Sequence, residues 1–477
     1  MIRRHTIIAV MLMAMAYGAG AQSYNFCFKL DGVEDSVLYI GRHYRDEVKL
    51  VDSSRRASDD SYTFRGKQKW VRGMYALVRQ DRTKQIGDFV IDGSLKFTIS
   101  GDSKLNATSV SVKGCQANQQ MFRYMAVEQE AVKEAERIRE LKKDSATKAQ
   151  AELDEKALTE RMERFEAEAR HPKTPNVFFD LVNACDNGNS DIPDSVENKA
   201  YYYRYHYWDK LFEVENGKRK VENNVLLYSP QLFNKMNYFF FNIVYHADSD
   251  TICKELDRLM DRIDDDTAMQ RYVLDFITPK YFRSTKNIGW DAVWCHIASE
   301  YYLKGRCPWT SEGNMHNMRY NYNRIKQSLI GAHAQELWML DTTQMDAPGH
   351  WFSSHRFPER YVILWFWDPD CHHCQEQSEE LKKLYDDMVA KGEKRFEVYA
   401  VGYESDVEKW KNYVKEHKFN WVNVGGSNVN IDYQEAYNVH GAPTMIILNE
   451  KRDIIMNKVL PVKQLLSFLD EYEKKQK

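Results

Sequence analysis

Tyr361-Val362-Ile363-Leu364-Trp365-Phe366-Trp367-Asp368-Pro369-Asp370-Cys371-His372-His373-Cys374 is the most informative stretch of this 477-residue chain. Seven apolar residues in a row, Tyr361 to Trp367, read as a buried strand. The segment from Cys371 to about Ala390 reads as a helix. The two cysteines thus form a C-x-x-C immediately after a strand and at the start of a helix. Free backbone N–H groups and the positive dipole end at that position stabilise a thiolate on Cys371. The thiolate is the nucleophile of disulfide exchange. Cys374 lies about one turn further on, placed to attack a mixed disulfide and release the product. His373, beside Cys374, would add to the stabilisation of the Cys371 thiolate and raise the reduction potential of the pair. His372 receives no role.

Working outward, strands and helices alternate. Phe396 to Gly402 reads as a strand, Val407 to His417 as a helix, and Thr444 to Leu448 and Ile454 to Val459 as strands. Val462 to Glu473 reads as a closing helix. The expected class for 332–477 is α/β.

Phe366-Trp367 before the C-x-x-C, and Gly441-Ala442-Pro443-Thr444 before a later strand, make this part resemble the thioredoxin superfamily, especially TlpA-like thiol:disulfide oxidoreductases. The resemblance covers roughly the last third of the chain. It implies that Ala442–Pro443 is cis and packs beside the dithiol, and that the Ala442 backbone is free to pair with a substrate strand. Ala334-Gln335-Glu336-Leu337 to Leu340 looks like the extra N-terminal hairpin of TlpA-like members. One position departs from the pattern. Thioredoxins usually carry a buried acidic residue six positions before the first cysteine, where this chain has Trp365. Glu376, Glu379 and a water are the candidates for the proton acceptor of Cys374.

A zinc site at the Cys-His-His-Cys turn is disfavoured, because four adjacent ligands cannot all face one ion and no second C-x-x-C or H-x-x-x-H follows. Peroxidase chemistry is disfavoured too, since a peroxiredoxin pattern would place Thr or Ser where Asp368 stands. The expected function is disulfide exchange with protein substrates through Cys371 and Cys374. Ala442, Pro443 and His373 are expected to modulate it, and no cofactor is expected beyond the dithiol. A redox partner protein is implied. The alternative is a non-catalytic binding or scaffold protein carrying a redox-responsive module.

Upstream, 22–117 reads as a β-sandwich: Phe26, Phe28 and Leu30 alternate, and short apolar runs follow between Gly, Asp and Ser clusters. Residues 118–171 are rich in Ala, Glu, Lys and Arg, and read as a charged helical linker, a long helix or a helical hairpin. Residues 172–331 read as an α-helical, aromatic-rich domain, densest at Tyr201 to Trp208 and Tyr238 to Phe241. Interhelical packing is the expected use of those rings, with a peptide groove as the sharper alternative. Val112-Lys113-Gly114 with Asn118, Lys280-Tyr281-Phe282-Arg283-Ser284 and Gly289-Trp290-Asp291-Ala292-Val293 resemble uncharacterised domains that precede redoxin modules in exported Bacteroidetes proteins.

Met1-Ile2-Arg3-Arg4, the apolar run Ile7 to Ala16 and Ala19-Gly20-Ala21 read as a signal peptide over 1–21, cut after Ala21. The expected location is exported, in the periplasm. No later stretch is apolar enough to span a membrane. A net charge of −3, from 67 Lys+Arg against 70 Asp+Glu, gives no reason to expect nucleic acid as a partner. Besides Cys371 and Cys374 there are six scattered cysteines, at 27, 115, 185, 253, 295 and 307. They read as small core residues, though export leaves disulfides open.

Overall fold

The structure is a computed structural model that describes residues 22–185, 192–282, 287–341, 350–403 and 406–476. The signal segment read at 1–21 lies outside the described residues, as do Arg283 and Ser284. The chain divides into two compact units. One holds the described residues up to His246 together with Asp257–Tyr272. The other holds Ala247–Leu256 and the chain from Val273 onward.

The first unit begins with eight strands: β1 (Gln22–Asp31), β2 (Val37–Tyr44), β3 (Glu47–Arg55), β4 (Ser61–Gln68), β5 (Gly73–Val78), β6 (Gln85–Ile91), β7 (Lys96–Asp102) and β8 (Ser111–Lys113). They form two four-stranded sheets, ordered β4-β1-β7-β8 and β3-β2-β5-β6. Period-2 alternation buries Phe26, Phe28 and Leu30 of β1. Phe28 meets Phe89 of the other sheet at 5.3 Å between ring centres, which makes the pair of sheets a sandwich.

The charged stretch forms a helical hairpin of α1 (Gln116–Leu141) and α2 (Lys148–Arg170). It is more than a spacer. Ala131, Ile138, Ala151 and Leu158 make a small core between the two helices, and Arg161 pairs with Glu134 across them. Asn118 anchors the hairpin to the sandwich. Its buried amide accepts from the Val90 N–H (2.7 Å) and donates to the Val90 carbonyl (2.9 Å), imitating a strand partner. Gly114 sits at φ +85, where a Cβ would stand 2.6 Å from the Lys96 carbonyl oxygen. Both residues of the upstream motif therefore have a packing reason.

The helical region supplies α3 (Val177–Cys185), α4 (Lys199–His206), α5 (Asn223–Leu227), α6 (Pro230–Tyr238), α7 (Ser249–Asp261), α8 (Thr267–Phe282), α9 (Trp290–Ile297) and α10 (Glu312–Ile325), with a two-strand ribbon of β9 (Val214–Glu215) and β10 (Lys218–Arg219). Tyr207 and Trp208 are buried against Phe239, each 4.9 Å away. Tyr201 and Tyr205 face outward. The aromatic cluster is thus part core and part surface.

In the second unit a seven-stranded sheet runs β12-β11-β15-β14-β13-β16-β17. Its strands are β11 (Trp338–Asp341), β12 (Trp351–Ser353), β13 (Tyr361–Trp367), β14 (Phe396–Gly402), β15 (Val422–Val429), β16 (Thr444–Leu448) and β17 (Ile454–Met456). The helices of this part are α11 (His372–Lys391), α12 (Val407–Glu416), α13 (Tyr433–Ala436) and α14 (Val462–Gln476). Strand β13 is central, parallel to β14 and antiparallel to β16. All seven of its residues are buried, because its two faces belong to two cores. Ile363, Trp365 and Trp367 join Leu381, Trp410 and Leu469 on one side. Val362, Leu364 and Phe366 join Leu337, Val401 and Val439 on the other. Of the hairpin segment expected at Ala334 to Leu340, only Trp338 onward is strand, as β11 paired antiparallel with β12. The second upstream motif is structural as well: Asp291 accepts from Asn457 Nδ2 at 2.6 Å, which ties α9 to the chain after β17.

Candidate functional site

Strand β13 ends at Trp367 and α11 begins at His372, so Asp368 to Cys371 form the turn between them. Cys371 is the N-cap of α11, and its Sγ accepts the Cys374 backbone N–H at 3.2 Å. Sulfur here takes the place that Ser or Asp oxygen takes at an ordinary helix start. The same sulfur lies 3.7 Å from the Ala442 carbonyl oxygen, and Ala442–Pro443 is cis. The structure therefore brings Cys371, Cys374, Ala442 and Pro443 together.

The two cysteines differ in access. Cys371 is partly exposed, whereas Cys374 is fully buried at 0%. Burial pushes the Cys374 thiol up to about 12, and its hydrogen bond with Cys371 adds to the rise. Such a thiol is a poor first nucleophile. It becomes useful once a mixed disulfide on Cys371 stands one helical turn away.

His373 points its Nδ1 toward Glu376 at 3.7 Å, and His372 points its Nε2 at the same carboxylate at 3.3 Å. Both imidazoles are well exposed, His373 at 62%. The partner recorded for His373 is thus Glu376. Glu379 meets His417 at 3.6 Å on the exposed side of α11. Trp365, in the position where an acid was sought, donates from Nε1 to the Ser378 hydroxyl at 2.9 Å with both residues buried.

Sequence reasoning passed over Asp368. Its Oδ1 accepts the Asp370 N–H at 2.8 Å and its carbonyl accepts the Cys371 N–H at 3.2 Å, and its negative charge adds to the rise of the Cys374 thiol. An Asp between a strand end and the C-x-x-C was the available signal. Of the other six cysteines, Cys115, Cys295 and Cys307 are buried, and Cys27, Cys185 and Cys253 half-buried. Among the described residues no helix is long and apolar enough to cross a membrane.

Residues 359–454 match the model of a family described as thioredoxin-like. A domain of a possible thiol-disulfide isomerase from Cytophaga hutchinsonii is 32% identical, over 31% of this chain and 95% of that one, with a TM-score of 0.27. The thioredoxin domain of a Bacteroides vulgatus thiol-disulfide oxidoreductase is 24% identical, over 30% of this chain and 96% of its own, with a TM-score of 0.25. A thioredoxin-like protein from Bacteroides caccae is 18% identical, over 59% of this chain and 96% of its own, with a TM-score of 0.45. No curated protein matches the chain. Through the domain built around Cys371 and Cys374, this chain belongs to the thioredoxin-like family.

Proposed function

We propose that this chain is an exported enzyme that exchanges disulfides with protein substrates through Cys371 and Cys374. The observation that carries the reading is the asymmetry of the pair: a partly exposed sulfur at a helix N-cap, and a second sulfur one turn behind it with no solvent access. Cys371 attacks a substrate disulfide, or receives attack from a substrate thiol, and Cys374 closes or opens the internal bond. The Ala442 backbone, adjacent to the Cys371 sulfur, lines the place where a substrate strand would lie. His373 modulates the pair from the first turn of α11. A redox partner protein restores the dithiol or disulfide after each cycle. Export to the periplasm rests on Arg3, Arg4, the apolar run and Ala19-Gly20-Ala21.

The test mixes the full chain, in reduced and in oxidised form, with a disulfide-bonded protein and with its reduced counterpart, and follows thiol transfer. Turnover that vanishes in Cys371→Ser supports the enzyme. Binding without turnover, indifferent to Cys371, would instead favour a scaffold.

A further inference from the structure

Of the fourteen residues of α10 only Ile325 is buried, although a surface helix of this length ordinarily sets a whole stripe against a core. His316, Arg319, Tyr320 and Asn323 of this helix and Lys326 at its C-cap recur at helical spacing, so they share one face, and all of them are exposed. The face is basic. Arg319 and Lys326 have no ion-pair partner among the described residues. Glu312, the acid of this helix, stands at its far N-terminus.

Contacts within the second unit fix where this face lies. Tyr320 donates from its hydroxyl to Glu435 Oε1 at 2.8 Å, and Arg324 Nη1 stands 3.8 Å from the same oxygen. Glu435 belongs to α13, whose Gln434 carbonyl accepts the Val439 N–H at 3.0 Å. Val439 is followed by His440, Gly441 and Ala442, and the Ala442 carbonyl oxygen lies 3.7 Å from Cys371 Sγ. On the other flank, the Ser328 carbonyl just past α10 accepts from Asn457 Nδ2 at 2.9 Å. Asn457 opens the loop whose Leu460 packs on the core that also receives Cys371 and Ala442. The end of α10 therefore touches both segments that border the dithiol.

We propose that the exposed face of α10 is a docking surface for the protein substrate, and that it selects segments carrying Asp or Glu a few residues from the cysteine to be exchanged. The proposal rests on the exchange reaction assigned above. Charge names the occupant: Arg319 and Lys326 complement carboxylates. Composition agrees, since Tyr320 and the half-exposed Met315 and Met318 are of the types enriched at protein interfaces. A substrate strand laid along the Ala442 backbone continues past Val439 toward α13 and α10. The stretch from Ala442 to Val439 spans about 10 Å at full extension, so the selected acids stand about three to five residues from the reactive cysteine.

The probe is a pair of peptides, each with its cysteine held as a 2-pyridyl disulfide. One carries aspartates about three to five residues to either side of the cysteine, the other lysines at the same places. In the reduced full-length chain the Cys371 thiolate attacks the peptide sulfur. The Cys371–peptide bond forms, the peptide–pyridyl bond breaks, and pyridine-2-thione leaves with the electron pair and is read by its absorbance. Release by the other six cysteines is measured in the double Cys371→Ser, Cys374→Ser variant and subtracted. The net charge of −3 would by itself favour the lysine peptide, so a preference for aspartate has to come from a local basic face. At low salt the wild type should react roughly tenfold faster with the aspartate peptide, and added salt should shrink the ratio. Arg319→Gln with Lys326→Gln should abolish the preference, and Arg319→Glu with Lys326→Glu should invert it. Dipyridyl disulfide, which has no peptide to dock, should react equally fast with all three proteins, which shows the dithiol intact in each. A wild type without the aspartate preference, or a preference that the substitutions leave unchanged, overturns the proposal and leaves exchange standing. In that event, a wild-type dimer in sedimentation that the Glu substitutions dissociate would assign the face to a second copy of the chain. A wild type with no Cys371-dependent release from dipyridyl disulfide removes the exchange reading itself, and the proposal with it.

Discussion

The Cys374 backbone N–H donates to Cys371 Sγ at 3.2 Å, so the residue whose own thiol is shut away from water supports the sulfur of the residue that is not. One helix start thereby gives the two cysteines unequal roles without any further group.

The first consequence is a trapping experiment. Cys374→Ser should accumulate mixed disulfides with substrate proteins, since attack occurs and resolution does not. Cys371→Ser should accumulate none. With its thiol pushed up to about 12, Cys374 holds only about one thiolate in 10⁵ molecules near neutrality. A limiting dose of alkylating agent should therefore label Cys371 first, as read by peptide mass spectrometry. Prior labelling of Cys374 would exchange the roles.

Trp365 offers a stability test beside the dithiol. Its indole N–H and the Ser378 hydroxyl satisfy each other inside the core. Trp365→Phe keeps most of the ring volume and leaves Ser378 without that donor, at a cost of about 1–3 kcal/mol. Urea unfolding followed by near-ultraviolet dichroism should show the midpoint fall. Trp365→Phe with Ser378→Ala should recover part of the loss, because both polar groups are then gone.

The strand and helix that carry the dithiol were legible because seven apolar residues in a row and a C-x-x-C leave few alternatives. Strand β15 was not. Val422-Asn423-Val424-Gly425-Gly426-Ser427-Asn428-Val429 lacks a sustained apolar period, and Gly and Asn argue for a loop. It is a strand because β14 and β11 pair with it on either side, a tertiary cause that local composition does not carry. Strand β3 was missed for a related reason: at the sheet edge its side chains are mostly half-exposed or exposed, so no alternation shows. In the site, Asp368 and Asp370 look alike on paper. Only the fold half-buries Asp368 and leaves Asp370 exposed.

A pH effect should appear in the first unit. Arg72 faces Asp92 and Glu222 at 2.7 Å each and Asp180 at 3.9 Å, so one guanidinium serves three carboxylates. Burial pushes Asp180 up to about 6 from 3.8. Its folded value is raised, so the ionised form is penalised by folding. The penalty is complete above about pH 6 and disappears as pH falls through the unfolded value near 3.8. Asp180→Asn should therefore stabilise this unit by about 1–3 kcal/mol near pH 8, and by little at pH 4. Thermal unfolding of both proteins across that range would measure it. Equal stabilisation at both ends would mean the gain is not electrostatic.

Export has a direct readout. Mass spectrometry of the mature protein should place Gln22 at its N-terminus, since Ala19-Gly20-Ala21 is the small-residue site. Recovery of the full-length chain from the cytoplasm would reject this.

The reduction potential brings the site's charges into one number. Groups that favour the Cys371 thiolate favour the reduced protein and raise the potential. The helix N-terminus does so through the Cys374 N–H. His373, when protonated, adds positive charge on the first turn, but Glu376 sits 3.7 Å from its Nδ1 and offsets it. A potential about 30 mV or more above the thioredoxin value of about −270 mV is expected, which is roughly 1.4 kcal/mol for a two-electron couple. The two partners should then act in opposite directions. His373→Pro is tolerated in the first turn, where the lost N–H has no partner within the helix, and should lower the potential. Glu376→Gln removes the negative charge that offsets His373 and should raise it. Equilibration with glutathione, quantified at the Cys371–Cys374 peptide, gives all three values. A wild-type potential at or below that of thioredoxin, unmoved by either substitution, would show that the first-turn histidine and its carboxylate do not tune the couple and that the pair is set up as a reductant.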